Sequence, residues 1–399
     1  MDQLWNKKAS GLANLIKKGD VSCLEVIESH LDRISEVNPY LNAITLILEE
    51  SALKAAREAD TASEEERIRP LHGVPFTVKE NIDFLGTPTT NGLPKLSEAM
   101  PSRNDPIVGR MIGAGAIPIG RTNLPEMGMR LDTDNPLRGR TINPWNANLT
   151  PGGSSGGEAV ALATGMTPLG LGNDIGGSLR NPAYCCGITS LKPSMGRVPW
   201  APSLEPVDMG IPRVLLSNGP MARSVNDLSL ALSILEGRHI ADPESVDVPI
   251  FGPIPKEKKV ALVKSLPAIE LPGSTIEAVD KAGEILRSQG WIAEEVEAPE
   301  LDRVHEVWGT ILAPLTASIP RELFKKETSE YLDRISVSGN SINLWDALTE
   351  RQRLRRVYSE FFSEYTVCVG PIWGNLPWPI DTDLDPDIGD DTLRKSFSF

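Results

Sequence analysis

Residues 150–182, TPGGSSGGEAVALATGMTPLGLGNDIGGSLRNP, constrain this chain more than any other stretch. Glycine adopts backbone angles closed to other residues and lets a second segment approach closely. So dense a glycine run predicts sharp turns around short elements. A helix is expected to begin at Gly157 and run through EAVALATG. PLGLG reads as a buried strand, and GGSLRNPAYCCG as a turn entering another helix. Serines stand at both turns, Ser154 with Ser155 and then Ser178, and no histidine is near either.

Three chemistries compete for this run. Backbone amides of glycine-rich loops cradle phosphates at helix starts. A Walker loop requires G-x-x-x-x-G-K-[ST], however, and no GK[ST] occurs. A dinucleotide loop requires a strand before G-x-G-x-x-G, and NPWNANLTP before Gly152 is a poor strand. A nucleophile elbow, G-x-S-x-G, matches Gly152–Gly156, but it too needs an entering strand and a later acid and histidine. Only His239 and His305 follow, neither in a catalytic-looking loop. The third chemistry activates a serine with a lysine. A hydroxyl needs a base within hydrogen-bond reach, and desolvation lowers a lysine's pKa. Lys79 in FTVKENID lies in an apolar, strand-like stretch. From VKEN alone, a strand-end lysine facing solvent is the simpler reading. Ser178 follows Gly176-Gly177 at a strand-to-helix junction, where the amides of Ile175, Gly176, Gly177 and Ser178 would surround one point. That suits an oxyanion, and it equally suits a helix N-cap; the residues alone leave both open.

Elsewhere strands and helices alternate. VSCLEVIESHLDRI has apolar residues at helical spacing, with Ser22 and Glu25 as a capping box and Asn38-Pro39 as its stop. NAITLIL reads as a strand, ESALKAAREADTA as a helix, and IVGRMIGAGAIPI as a helix then a strand. Residues 134–151 and the Pro-rich 201–222 read as connections, and SVNDLSLALSILEG as a helix. KKVALVKSL, STIEAVDKAGEILRSQG and WIAEEVEAP form a strand–helix–strand unit that favours a parallel pair. A helix is expected around 343–363, a strand at YTVCVGP and a mobile acidic tail at DTDLDPDIGDD. The alternation predicts an α/β protein with helices covering both faces of a mixed, twisted sheet. Residues 1–62 are expected to form a helical region packed on the core of a domain spanning 63–399.

Composition narrows the function. The 399 residues carry a net charge of −14, which disfavours nucleic acid as a partner. No run of about 18 apolar residues suggests a membrane span. The N-terminus lacks the long apolar stretch of a signal peptide. Cys23, Cys185, Cys186 and Cys368 fit neither a disulfide framework nor a zinc site, so reduced thiols in a cytoplasmic protein are expected. No histidine spacing suggests a metal, and no cofactor is expected.

Taken together, the run from Thr150 to Pro199, LHGVPFTVKENID, GRTNLPEMGM and SNGPMARSVNDL resemble the amidase signature family. The similarity spans about residues 20–240. The resemblance implies that Ser178 is the nucleophile, Ser154 a bridging serine after a cis peptide, and Lys79 the end of the proton chain. It implies backbone oxyanion donors at Ile175, Gly176, Gly177 and Ser178. Ser155, Asp174 and Arg180 would support the network, and Gly128 and Met129 would line the acyl pocket. The expected activity is hydrolysis of a small-molecule amide through an acyl-enzyme, with esters or carbamates as further substrates and a homodimer as one expected assembly. Two alternatives are an A-type subunit of a glutamyl-tRNA amidotransferase and a non-catalytic relative that binds acyl ligands. MGRVPWAPSLEPVDMG is closer to stand-alone amidases than to the tRNA-linked subunit. Family members continue past the equivalent of YTVCVGPIWGNLP with an N-x-x-G-x-P segment. Nothing after residue 375 resembles it, so the domain is expected to lack the usual C-terminal segment.

Overall fold

The computed structural model describes residues 3–204, 214–250, 252, 257–337 and 342–396. The chain divides into two compact units, Met1–Val248 and Pro249–Phe399.

The first unit opens with α1 (Ala9–Lys18) and α2 (Cys23–Leu41). The Ser22–Glu25 capping box is present at the start of α2. Asn38-Pro39 does not end this helix; Pro39 lies inside it, and Asn42 terminates it in the left-handed conformation. The Asn38 side chain instead accepts from Ala43 and Ile44 N–H, which ties the helix end to β1 (Ile44–Ile47). Then come α3 (Glu49–Asp60), α4 (Glu64–Arg67), β2 (Pro75–Lys79), α5 (Pro106–Gly113) and β3 (Ile117–Thr122). The glycine-rich run forms α6 (Gly156–Ala163), β4 (Leu169–Asp174) and α7 (Arg180–Cys186). Short β5 (Thr189–Ser190), β6 (Ser217–Ala222) and α8 (Val225–Leu235) follow.

The six strands lie in the order β1-β3-β2-β4-β6-β5. β2 is parallel to both β3 and β4, whereas β1 and β6 run antiparallel to their neighbours. Alternating side chains on one strand face opposite sides, and here they enter two cores. Phe76 and Val78 of β2, Leu169 and Leu171 of β4 and Ala222 of β6 join α1, α5 and α8. Ile117 and Ile119 of β3 and Met221 of β6 join α3, α6 and α7. The fold is therefore the expected mixed sheet with helices on both faces. Residues 1–62, a region of their own by sequence, contribute to both cores.

By sequence, β6 is the end of a Pro-rich connection. Its residues, SNGPMA, contain the glycine and proline that ordinarily argue against an inner strand. Yet it pairs with β4 along its whole length, and Leu191 N–H donates to Pro220 O at 3.1 Å.

In the second unit, β7 (Lys259–Leu262), α9 (Gly273–Ser288) and β8 (Ile292–Glu295) form the expected parallel strand–helix–strand unit. Helices α10 (Leu301–Ser318), α11 (Lys326–Val337) and α12 (Leu344–Glu364) precede β9 (Val367–Val369), which pairs parallel to β7. The acidic tail, expected to be mobile, carries α13 (Gly389–Ser396). Asp390 and Asp391 in its first turn and Arg394 and Lys395 in its last complement the helix dipole.

Candidate active site

Lys79 is the last residue of β2. Because Phe76 and Val78 face one core, Thr77 and Lys79 face the other side of the sheet, toward α6. Thr77 Oγ1 accordingly donates to the Glu158 carboxylate on α6. Lys79 Nζ lies 2.6 Å from Ser154 Oγ and 2.9 Å from Asn173 Oδ1. The side chain is fully buried. Burial pushes its pKa down from an ordinary 10.5 to about 7, although Asp174 and Glu158 pull upward. The solvent-facing lysine suggested by VKEN alone is thus overturned.

Ser154 sits in a turn held from three sides. The Gly153–Ser154 peptide is cis. Thr133 Oγ1 donates to Gly152 O at 2.8 Å, and Gly153 N–H donates to Asn181 Oδ1 at 3.0 Å. Gly152 has φ of +81°, and a β-carbon there would lie 2.7 Å from Asn181 Oδ1. Only glycine meets both demands. No strand enters this turn, so the nucleophile-elbow reading fails.

The second serine turn follows β4. Asp174 accepts from Gly177 N–H at 2.8 Å and Leu179 N–H at 3.0 Å. Its two oxygens also receive Arg180 Nε at 3.1 Å and Arg180 Nη2 at 2.9 Å. Burial alone would raise this carboxyl, but Arg180 and these donors outweigh it and hold it at about 2. Asp174 and Arg180 therefore brace the loop, the role the sequence reading gives them. The Gly177 N–H, one of the four expected oxyanion donors, is already committed to Asp174. Ser178 is half-buried, as are Ile175 and Gly176, so this turn remains open to a small molecule.

Ser155 N–H donates to Ser178 O at 3.2 Å, which joins the two serine turns. Its hydroxyl, expected to join the network, is buried without a hydrogen-bond partner among the described residues. Gly128 borders Ser154: a methyl group at that position would sit 3.1 Å from Ser154 Oγ. Met129 is half-buried next to it, its N–H donating to Glu126 O at 3.0 Å.

Sequence reasoning misses three polar partners. Asn173 and Asn81 bond each other beside Lys79. Glu158, fully buried, accepts from Thr77 and Thr122, and burial raises its pKa to about 7. A lone carboxylate in the apolar helix EAVALA is the available signal for Glu158. Nothing local marks the asparagines.

Comparison with known proteins agrees with this fold. A family model described as Amidase matches residues 25–393, well past residue 375, where the sequence alone shows no resemblance. Indoleacetamide hydrolase of Bradyrhizobium diazoefficiens is 38% identical over 378 residues, covering 92% of this chain and 72% of that protein. The amidase-type subunit of glutamyl-tRNA(Gln) amidotransferase from Thermus thermophilus is 36% identical over 315 residues, covering 76% of this chain and 62% of that protein. Among solved structures, 6-aminohexanoate cyclic dimer hydrolase superimposes with a TM-score of 0.84 at 24% identity, covering 100% of this chain and 87% of that one. A bacterial aryl acylamidase of the amidase signature family gives 0.79 at 25% identity, covering 94% and 81%. By class, the protein is a hydrolase of amide C–N bonds. It belongs to the amidase family. Among the described residues, no helix is long and apolar enough to cross a membrane.

Proposed function

We propose that this protein hydrolyses a carboxylic amide through an acyl-enzyme on Ser178, with Ser154 and Lys79 as its proton relay. The observation that carries the reading is the buried Lys79 amine 2.6 Å from Ser154 Oγ. In the proposed cycle the Ser178 hydroxyl passes its proton to Ser154, whose own proton passes to neutral Lys79. Ser178 Oγ bonds to the substrate carbonyl carbon, and the 175–178 turn faces the oxyanion. Gly176 and Ser178 supply its N–H groups, while Gly177 N–H holds the turn through Asp174. The tetrahedral adduct collapses as the C–N bond breaks. The leaving amine takes the proton back from Lys79 through Ser154. Water then attacks the ester, releasing the acid and restoring Ser178.

Indoleacetamide is the first substrate to assay, because the relative that covers 92% of this chain is a hydrolase of that name. The acyl pocket beside Gly128 and Met129, a cytoplasmic location and a homodimer belong to the same reading. The amidotransferase reading is weaker, since that relative is less similar and covers less of the chain. The test is ammonia release from indoleacetamide, run beside labelling with a serine-directed fluorophosphonate and peptide mapping. Turnover with label on Ser178, both absent in Ser178→Ala, supports the reading. Label on Ser154 with Ser178 untouched overturns it.

A further inference from the structure

The Lys79 amine has two polar neighbours within 3 Å, and they make opposite demands. As a base, neutral Lys79 offers one lone pair and two N–H groups. The lone pair must face the Ser154 hydroxyl at 2.6 Å. The other neighbour, Asn173 Oδ1 at 2.9 Å, carries no hydrogen and can only accept. Were the Asn173 amide turned over, its NH2 would donate into the lone pair and occupy it.

Asn81 decides which end faces the lysine. Asn173 Nδ2 donates to Asn81 Oδ1 at 3.1 Å, and Asn81 Nδ2 points back to Asn173 Oδ1 at 3.4 Å. Turning either amide over would set NH2 against NH2 and oxygen against oxygen. Asn81 itself stands on a clamped segment. The buried Arg121 guanidinium on β3 donates to Val78 O at 3.3 Å, Lys79 O at 3.2 Å and Ile82 O at 2.7 Å.

We propose that Asn173, held in one orientation by Asn81, is a positioning residue that draws a Lys79 N–H toward itself and leaves the amine lone pair facing Ser154 Oγ. This deepens the proposed function and rests on it. When Lys79 takes a proton from Ser154, the new N–H forms on the Ser154 side, and the bond to Asn173 persists. No amide has to turn during the cycle. The other charged groups near Lys79 are Glu158 on α6, Asp174 at the end of β4 and Arg121 on β3; Arg180 and Lys192 face Asp174.

The experiment measures the rate of fluorophosphonate labelling at Ser178 from about pH 5 to 10, a range that brackets an ordinary lysine and a desolvated one, with thermal melts to verify folding. The proteins are wild type, Lys79→Ala, Asn173→Asp, Asn173→Ala, Asn81→Ala and the double variant Asn81→Ala/Asn173→Ala. In Asn173→Asp the carboxylate still accepts but favours the ammonium form, so the acidic limb moves up by about one to three pH units. A structural role alone would not move that limb. Asn81→Ala frees the Asn173 amide to turn and lowers the plateau rate about three- to tenfold. The double variant is then no slower than Asn173→Ala. An unmoved limb in Asn173→Asp, or additive losses in the double variant, refutes the positioning role while a Lys79-dependent label keeps the proposed function standing. Equal labelling of wild type and Lys79→Ala at every pH refutes both.

Discussion

The base at this site is set by burial, and the pH dependence of turnover reads that directly. A lysine at its ordinary 10.5 would be neutral in only about one molecule in a thousand at about pH 7.5. At about 7, the value burial imposes on Lys79, roughly three quarters are neutral at the same pH. The shift corresponds to about 5 kcal/mol of differential interaction between the two protonation states. The sign follows from the mechanism: the neutral form works, so activity is present above about pH 7 and lost as pH falls through it. The assay is kcat/KM for indoleacetamide from about pH 5 to 10, since this ratio reports ionisations of the free enzyme. The expected profile has one acidic limb with its midpoint at about 7. Lys79→Ala should reduce the plateau about 10²- to 10⁴-fold, the usual contribution of a positioned general base. Lys79→Arg should lose as much and show no limb, because a guanidinium does not deprotonate in proteins. Glu158→Gln removes one of the two charges that pull Lys79 upward, so its limb should move to lower pH. A limb centred at about 10, the range of an ordinary lysine, or an active Lys79→Arg, would falsify the assignment of Lys79 as base.

Ser154→Ala breaks the relay but leaves the acyl site in place; kcat should fall about 10²- to 10⁴-fold with KM changed far less, and a comparable rise in KM alone would contradict the relay. Gly152→Ala forces a β-carbon onto a positive φ and against Asn181, so urea denaturation should show a loss of about 2 kcal/mol or more; an unchanged midpoint would count against the tight turn. Asp105 caps α5 and is buried, which raises its pKa from 3.8 to about 7. The folded state therefore keeps a proton that the unfolded chain releases between those values, and stability declines as pH rises through that window. An asparagine side chain would keep the cap without the charge, so Asp105→Asn should gain about 2–4 kcal/mol at about pH 8 and nothing at about pH 4; an equal effect at both pH values would refute the charge argument.

What could be read from the sequence shared one property: it depended on neighbours in the chain. The turn at Gly152–Ser155, the strand at Leu169 and the turn into α7 are each specified by residues a few positions apart. The same holds for the Ser22 capping box. What escaped depended on distant partners. β6 is a strand because β4 lies beside it, whatever Gly219 and Pro220 prefer by themselves. Asn81 and Asn173 are 92 positions apart and matter only as a pair. The tail helix α13 was hidden by its acidity, which reads as disorder until its placement at a helix N-terminus is known.

The two acids nearest Lys79 explain why a lysine can serve where a histidine is the commoner base. A carboxylate paired directly with the amine would hold it as an ammonium ion at neutral pH. Asp174 instead commits both oxygens to Arg180 and the turn amides. Glu158 commits its two to Thr77 and Thr122. Gly170 lets Glu158 lie flat against β4, since any β-carbon there would overlap its carboxylate. Each acid is occupied elsewhere, so desolvation is left as the largest influence on the amine. The glycines that bend the chain around Ser154 also close the protein over Lys79. The turn and the base are therefore one design, and opening the packing at Gly170 should raise the pH at which Lys79 becomes neutral, even though no residue of the relay is touched.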